Sequence, residues 1–347
     1  MDKQNTTIQK IIIENSKNLE SISDKSVDLI ITSPPYPMIS MWDEIFNFLN
    51  PNITSDLIQN NSNKAFELMH EELNMIYDTA IKKLKDDGVV CINIGDATRT
   101  CNGVFSIYPN GSKTIEYFRK KGFMLLPSII WNKPTNSPNK FMGSGMLPVG
   151  AYNTLEFEHI LIFRRKKREF KNLNEKNNRS NSGFFWNERN VWCSNIWNFV
   201  GSKQTNKNNS RDRSGSFPIE LPYRIISMWT VAGDTVLDIF AGTGTTLLAT
   251  TALKRNGIGV EIIPEFKKEI RERIISSKDE LNKKNYLRVK KYKEFILDWE
   301  IKKQKKVKYQ NTELNLPVMT KQEVNIKIPI ISNFISNKNE IIVEYDE

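Results

Sequence analysis

Short apolar runs separated by turn signals recur through the first half of the chain. They are Ile8–Glu14, Val27–Thr32, Gly88–Ile94, Met124–Trp131 and Phe157–Arg164. Each is a few residues long and rich in Ile and Val, which predicts buried strands. Between Phe66 and Leu84 the apolar positions recur at helical spacing, which predicts a helix. Two more strands are expected at Thr235–Phe240 and Gly257–Ile262, with a helix over Thr245–Lys254 between them. Such alternation belongs to an α/β sheet with helices on both faces. Residues 166–215 interrupt it, being rich in Asn, Ser and charge, and read as an inserted segment. Residues 265–308 read as a charged amphipathic helical tail, and 309–347 have no usable periodicity.

Composition narrows the class. With 39% hydrophobic and 26% charged residues, collagen-like, mucin-like and fully disordered chains are excluded. No apolar run approaches the ~20 residues of a membrane span. Three cysteines do not make a disulfide framework. The opening Met1-Asp2-Lys3-Gln4-Asn5 is not a signal peptide, so a cytoplasmic location is expected. The formal charge of +10 points to a polyanionic partner. It is concentrated. Arg164–Arg213 holds 13 Lys/Arg against 4 Asp/Glu, and Lys283–Lys308 holds 11 against 3. The two stretches exceed the whole-chain value, so the remainder is net acidic. The first also carries Phe184, Phe185, Trp186, Trp192 and Trp197. Aromatics among cations suit a nucleic-acid surface, although some of these rings belong to the core.

The string Asp238-Ile239-Phe240-Ala241-Gly242-Thr243-Gly244-Thr245-Thr246 follows a predicted strand and opens a predicted helix. Glycines let the backbone turn tightly and approach a ligand, and the helix N-terminus offers free N–H donors. Glu261 stands 23 positions after Asp238, at the end of the next strand. A carboxylate there can accept from both hydroxyls of a ribose, so the unit suits a nucleoside cofactor. NAD would obey the same logic, but Leu247 occupies the place of its third glycine.

The strand Val27–Ile31 runs into Thr32-Ser33-Pro34-Pro35-Tyr36. Two prolines fix φ and cannot donate to a sheet ladder, so the chain leaves the strand rigidly. On these residues the sequence resembles the amino-group DNA methyltransferases that use S-adenosylmethionine. The glycine loop resembles that family's cofactor motif, and Ser33-Pro34-Pro35-Tyr36 its catalytic motif. Catalytic motif first and cofactor motif last is the order of the circularly permuted β group. Phe217-Pro218-Ile219-Glu220-Leu221 resembles the segment near the methionine end of the cofactor. Gly259–Pro264 resembles the ribose-binding strand. Glu158-His159-Ile160-Leu161-Ile162-Phe163 resembles a late strand that members place antiparallel. One departure is Asn15-Ser16, where members often have Gly-Asp.

The resemblance implies a Rossmann-like methyltransferase fold: a circularly permuted three-layer sandwich, its sheet mostly parallel with one antiparallel strand, plus a small recognition segment. Residues 1–165 would form the catalytic half, 166–215 the target-recognition segment, 216–275 the cofactor-binding half, and 276–347 a basic extension. The cofactor-binding set is then Asp238, Phe240, Gly242, Thr243, Gly244, Thr245, Thr246, Glu261, Phe217 and Pro218. Candidate DNA contacts are Arg164, Arg165, Lys166, Lys167, Arg189 and Lys203.

The chemistry is consistent with these residue types. An exocyclic amine is a poor nucleophile because its lone pair is delocalised into the ring. Acceptors that bond both N–H groups favour a tetrahedral nitrogen in line with the methyl group. The Ser33 hydroxyl and the Pro34 carbonyl supply such acceptors, Pro35 stiffens the exit, and Tyr36 offers a ring to stack on the base. A duplex base reaches such a pocket only if it is flipped. Methylation at ring carbon C5 needs a cysteine after proline, whereas Cys91, Cys101 and Cys193 follow Val, Thr and Trp. Two histidines and three cysteines at these spacings form no metal site. Serine at the first motif position favours cytosine N4 in this family, and aspartate favours adenine N6. The expected activity is site-specific methylation of cytosine N4 in double-stranded DNA, in a restriction–modification system with a cognate endonuclease. Adenine N6 is the alternative. An NAD-linked oxidoreductase and a non-catalytic DNA-binding protein on this fold are more remote ones.

Overall fold

The computed structural model describes residues 5–133, 148–150, 152–201, 217–338 and 340–346. Its strands in chain order are β1 (Thr6–Ile13), β2 (Val27–Thr32), β3 (Leu84–Ile94), β4 (Ala97–Cys101), β5 (Val104–Tyr108), β6 (Met124–Leu125), β7 (Ile129–Asn132) and β8 (Phe157–Arg164). They continue with β9 (Ile196–Asn198), β10 (Thr235–Asp238), β11 (Asn256–Glu261), β12 (Tyr309–Asn311), β13 (Leu316–Val318), β14 (Ile331–Ser336) and β15 (Glu340–Tyr345). The helices are α1 (Asp43–Leu49), α2 (Asn52–Ile58), α3 (Ser62–Lys83), α4 (Asn110–Lys120), α5 (Leu173–Asn181), α6 (Trp186–Trp192), α7 (Glu220–Trp229), α8 (Thr245–Ala252), α9 (Phe266–Ile275) and α10 (Lys278–Lys303).

One large sheet runs β14-β15-β1-β11-β10-β2-β3-β8-β7-β9, with β6 also on β8. Strands β1, β11, β10, β2 and β3 are mutually parallel. Strand β8 is antiparallel to β3, and β15 is antiparallel to β1. Strand β2 lies beside β10 although some 200 residues separate them in sequence.

Side chains of the central strands alternate between two cores, because successive residues of a strand point to opposite faces. Leu29, Ile31, Cys91, Ile160 and Val236 enter one core, where α7, α8 and α9 pack. Ile30, Val90, Ile92, Leu161 and Leu237 enter the other, covered by α1 to α4. Burial on both faces explains why these strands read as continuous apolar runs. The result is the expected three-layer α/β sandwich.

Three sequence expectations change. The run Met124–Trp131 is two strands, because Pro127 has no N–H for the ladder; β6 and β7 each pair with β8 on either side of it. The uninformative terminal segment forms two hairpins. One, β14–β15, extends the main sheet beyond β1, and the other, β12–β13, stands apart from it. Residues 166–201 are built into the body: β9 pairs with β7, and Trp192 and Trp197 lie in the first core. Phe185 stacks on Tyr292 of α10, ring centroids 4.3 Å apart, in a third core with Leu316, Val318 and Ile326.

Candidate active site

Parallel strands place their carboxyl ends on one edge, where loops gather into a crevice. Here β1, β2, β10 and β11 end together around a cavity of about 350 Å³. Its wall includes Ser33, Pro34, Pro35 and Tyr36 after β2. Asp238, Phe240, Gly242, Thr243, Thr245 and Thr246 come from the glycine loop, and Glu261 and Phe217 add two more predicted residues. Asn15 and Ser16 also line it, and the Ser16 hydroxyl donates to the Ile239 carbonyl at 2.6 Å.

The glycine loop needs its glycines. Gly244 has φ of +78° and precedes α8, and a Cβ there would stand 2.6 Å from Ile270. Gly242 also has a positive φ, +51°. Arg273 of α9 pins the loop by donating to the Thr243 carbonyl at 2.9 Å and to the Thr243 and Thr245 hydroxyls. Glu261 accepts from the backbone N–H of Gly242 at 2.8 Å, and from those of Ile262 and Ile263. Burial raises its carboxyl above the ordinary value.

Asp238 lines the cavity and is also held from within the protein. It is buried, and its oxygens accept from the Thr32 hydroxyl at 2.7 Å, the Thr246 hydroxyl at 2.5 Å and the Phe240 N–H at 3.1 Å. Burial pushes its carboxyl up to about 6 against the pull of these donors. Asp238 thus ties the end of β2 to the glycine loop. Two predicted residues lie off the cavity wall. Gly244 shapes the turn, and Pro218 stands beside the pocket residue Phe217.

A second polar cluster surrounds the Ser-Pro-Pro-Tyr motif. The Tyr36 hydroxyl donates to Glu158 Oε2 at 2.8 Å and lies 3.0 Å from Ser33 Oγ. Asn93 Nδ2 donates to Glu158 Oε2 at 2.7 Å and to the Tyr36 oxygen at 2.9 Å. Lys133 Nζ donates to Glu158 Oε1 at 2.9 Å. Burial first, and then the Glu158 carboxylate, hold the Tyr36 phenol protonated, well above its usual value. A Cβ on Gly95 would meet the Tyr36 ring at 3.0 Å, so that ring is wedged against backbone.

Sequence reasoning missed Glu158, Asn93 and Lys133. The signal for Glu158 was a carboxylate at the start of an apolar strand. Because β8 runs antiparallel, its start lies at the carboxyl edge, with His159 opposite Ile94. The same direction decides where the predicted DNA contacts lie. Arg164, at the far end of β8, pairs with Val89 at the amino edge. From Glu158 to Arg164 a strand covers roughly 20 Å. Arg164, Arg165, Lys166 and Lys167 therefore lie across the sheet from the pocket, and Arg189 shares the amino-edge cleft with three of them. Lys203 lies outside the described residues.

The pocket fits a nucleoside sulfonium cofactor. It joins the left-handed Gly242, a carboxylate at the end of β11, and apolar walls from Phe240, Ile263 and Phe266. The sequence model of a family described as DNA methylase, N6_N4_Mtase, matches residues 27–273. The chain belongs to this N6/N4 DNA methylase family. The methylase is 42% identical over 326 residues to the Type II methyltransferase M.MthZI of Methanothermobacter thermautotrophicus, covering 93% of this chain and 90% of that one. It is 47% identical over 281 residues to M.MjaI of Methanocaldococcus jannaschii, covering 78% and 92%. Among solved structures it resembles TTHA0409 of Thermus thermophilus, a putative DNA modification methylase complexed with S-adenosyl-L-methionine. The TM-score is 0.60 at 26% identity, over 77% of this chain and 93% of that one. PvuII DNA methyltransferase, cytosine-N4-specific, shares the fold at a TM-score of 0.52 and 20% identity, over 78% and 88% of the two chains. The methylase is an S-adenosylmethionine-dependent DNA methyltransferase. No helix among the described residues is long and apolar enough to cross a membrane.

Proposed function

We propose that the methylase transfers a methyl group to the N4 amine of cytosine in duplex DNA, as the modification enzyme of a restriction–modification system. The observation that carries this reading is the directed chain from Ser33 through Tyr36 to Glu158. As a carboxylate, Glu158 only accepts, so Tyr36 gives it the phenolic hydrogen. The Ser33 hydroxyl then donates to the Tyr36 oxygen. Ser33 Oγ also accepts a long bond from Asn93 Nδ2 at 3.4 Å, which leaves one lone pair for a ligand in the cavity that Ser33 lines. Hydrogen bonds in series polarise one another, which makes Ser33 Oγ a better acceptor. An aspartate at position 33 would place a charge beside Glu158, whereas the neutral serine fits the carboxylate already there.

The bound cofactor supplies an activated methyl on sulfur. Ser33 Oγ accepts one N–H of the target amine, and the Pro34 carbonyl, held by the proline that follows, accepts the other. This pair favours a tetrahedral nitrogen in the transition state. The Tyr36 ring carries the flipped base, while its hydroxyl stays in the chain. Glu261 binds the ribose, and the glycine loop makes room for it. The methylated amine releases one proton, which passes to solvent water.

The names of the relatives M.MthZI and M.MjaI, both Type II methyltransferases, support a modification role. The test is mass spectrometry of nucleosides from DNA treated with the enzyme and cofactor. The expected product is N4-methylcytosine. N6-methyladenine as the sole product would overturn the base assignment.

A further inference from the structure

A second cavity, about 680 Å³, opens at the amino edge of the sheet, across the layer from the methylation pocket. The starts of β2 and β3, the chain after β8, and α5 and α6 wall it. Seven Lys and Arg side chains line it against three carboxylates. Two of those carboxylates are engaged. Asp28 accepts from Lys85 and faces Arg168, and Glu323 accepts from Tyr292, Thr320 and the Trp186 backbone. The third, Asp87, lies near Arg168, whose own fork is held by Asp234.

The remaining cations are different. Among the described residues Arg164, Lys167, Lys176, Arg179 and Arg189 have no carboxylate partner, and the last four are exposed. Arg164 Nε is buried with no acceptor at all. Phe170 lies between the guanidiniums of Arg168 and Arg179, at 5.0 and 4.9 Å, and Trp186 carries Arg189 at 5.3 Å. Stacking restrains the Arg179 and Arg189 guanidiniums, which have no carboxylate on their N–H groups, and this geometry matches phosphate oxygens, whereas Arg168 is held by Asp234. One small anion is saturated by two or three such groups. Five unpaired cations along one cleft fit a repeating anion.

We propose that this cleft binds the phosphodiester backbone of a second DNA segment, separate from the one whose base enters the methylation pocket. The second contact holds the enzyme on DNA while the pocket samples bases, and it lets the enzyme pass between segments. The contact is electrostatic and independent of sequence.

The test uses the full chain, short duplexes of about 12 base pairs, and a triple variant, Lys167→Gln, Lys176→Gln and Arg179→Gln. In sedimentation at low salt, the wild type should bind two duplexes and the variant one. The log–log salt dependence of binding to long DNA should flatten by about 2.7, close to 0.9 for each lost phosphate contact. Methyl transfer to short duplexes and the melting temperature should stay at wild-type values. One duplex per wild-type chain, or a wild-type salt slope in the variant, would overturn the second site. Loss of methyl transfer in a normally folded variant would also overturn it, by showing that substrate DNA itself reaches these cations. None of these outcomes depends on which base is methylated.

Discussion

Replacing Glu158 by Gln tests the directed chain while conserving shape. Glu158 Oε2 accepts from Tyr36 at 2.8 Å and from Asn93 at 2.7 Å, and Oε1 accepts from Lys133. In one amide orientation the oxygen still accepts from Tyr36, but the charge is gone and the new NH2 faces Lys133. In the other, the NH2 donates to Tyr36, whose hydrogen then turns to Ser33, and the serine hydrogen points into the cavity. A hydrogen bond to a charged group contributes about 1.5–3 kcal/mol, a neutral one about 0.5–1.5. The loss at the transition state is therefore about 1–2 kcal/mol, or roughly 5- to 30-fold in kcat. Single-turnover methyl transfer at saturating cofactor and DNA measures it, and calorimetry should show cofactor affinity unchanged. Tyr36→Phe keeps the stacking ring but removes the middle link, so it should slow the step similarly. The double variant should be little worse than either single one, since the residues act as one unit. A wild-type rate in Glu158→Gln, or fully additive losses in the double variant, would refute the chain.

Glu261→Ala should weaken cofactor binding by about 1–3 kcal/mol through the lost charged acceptor, and unchanged calorimetric affinity would exclude that contact. Gly244→Ala forces a side chain into φ of +78° and to 2.6 Å from Ile270; overpacking of this kind costs about 1–3 kcal/mol, so urea melts should shift down, and an unshifted midpoint would refute the clash. Burial lowers His70 to about 4, against 6.5 for a free imidazole. Its folded value is depressed, so the unfolded chain binds the extra proton, and stability falls as pH drops from 6.5 toward 4. From pH 7.5 to 5 this site should contribute a loss of about 2 kcal/mol. His70→Asn should remove that part of the pH dependence in denaturant titrations, and a slope as steep as the wild type's would assign it elsewhere.

Periodicity alone marked the central strands of the sheet, because burial on both faces makes each an apolar run. The glycine loop and the Ser-Pro-Pro-Tyr exit were legible because their backbone demands restrict which residues fit. Strand direction was not legible from charge. Glu158 and Arg164 sit on one strand, yet its antiparallel course sends the first into the pocket and the second to the opposite edge. The internal tie made by Asp238 was not legible, because a carboxylate before a glycine loop has two possible employments. Only coordinates show both oxygens taken by Thr32, Thr246 and Phe240. The C-terminal hairpin β14–β15 escaped notice because β14 alternates only weakly in burial, and in β15 the apolar Ile342 between Ile341 and Val343 hides the alternation from the sequence.

The bond between Thr32 and Asp238 spans 206 residues of sequence. It makes the register of two adjacent strands the quantity that aligns the catalytic motif with the cofactor loop, while the length of chain between them is left free. Loop-closure entropy grows only with the logarithm of loop length. Segments could therefore be inserted, lengthened or exchanged between β2 and β10 at small thermodynamic expense, provided that the two strands return to the same pairing. A modification enzyme that must change its DNA preference gains from this. Its reacting groups stay in place while the chain that surrounds them is free to diversify.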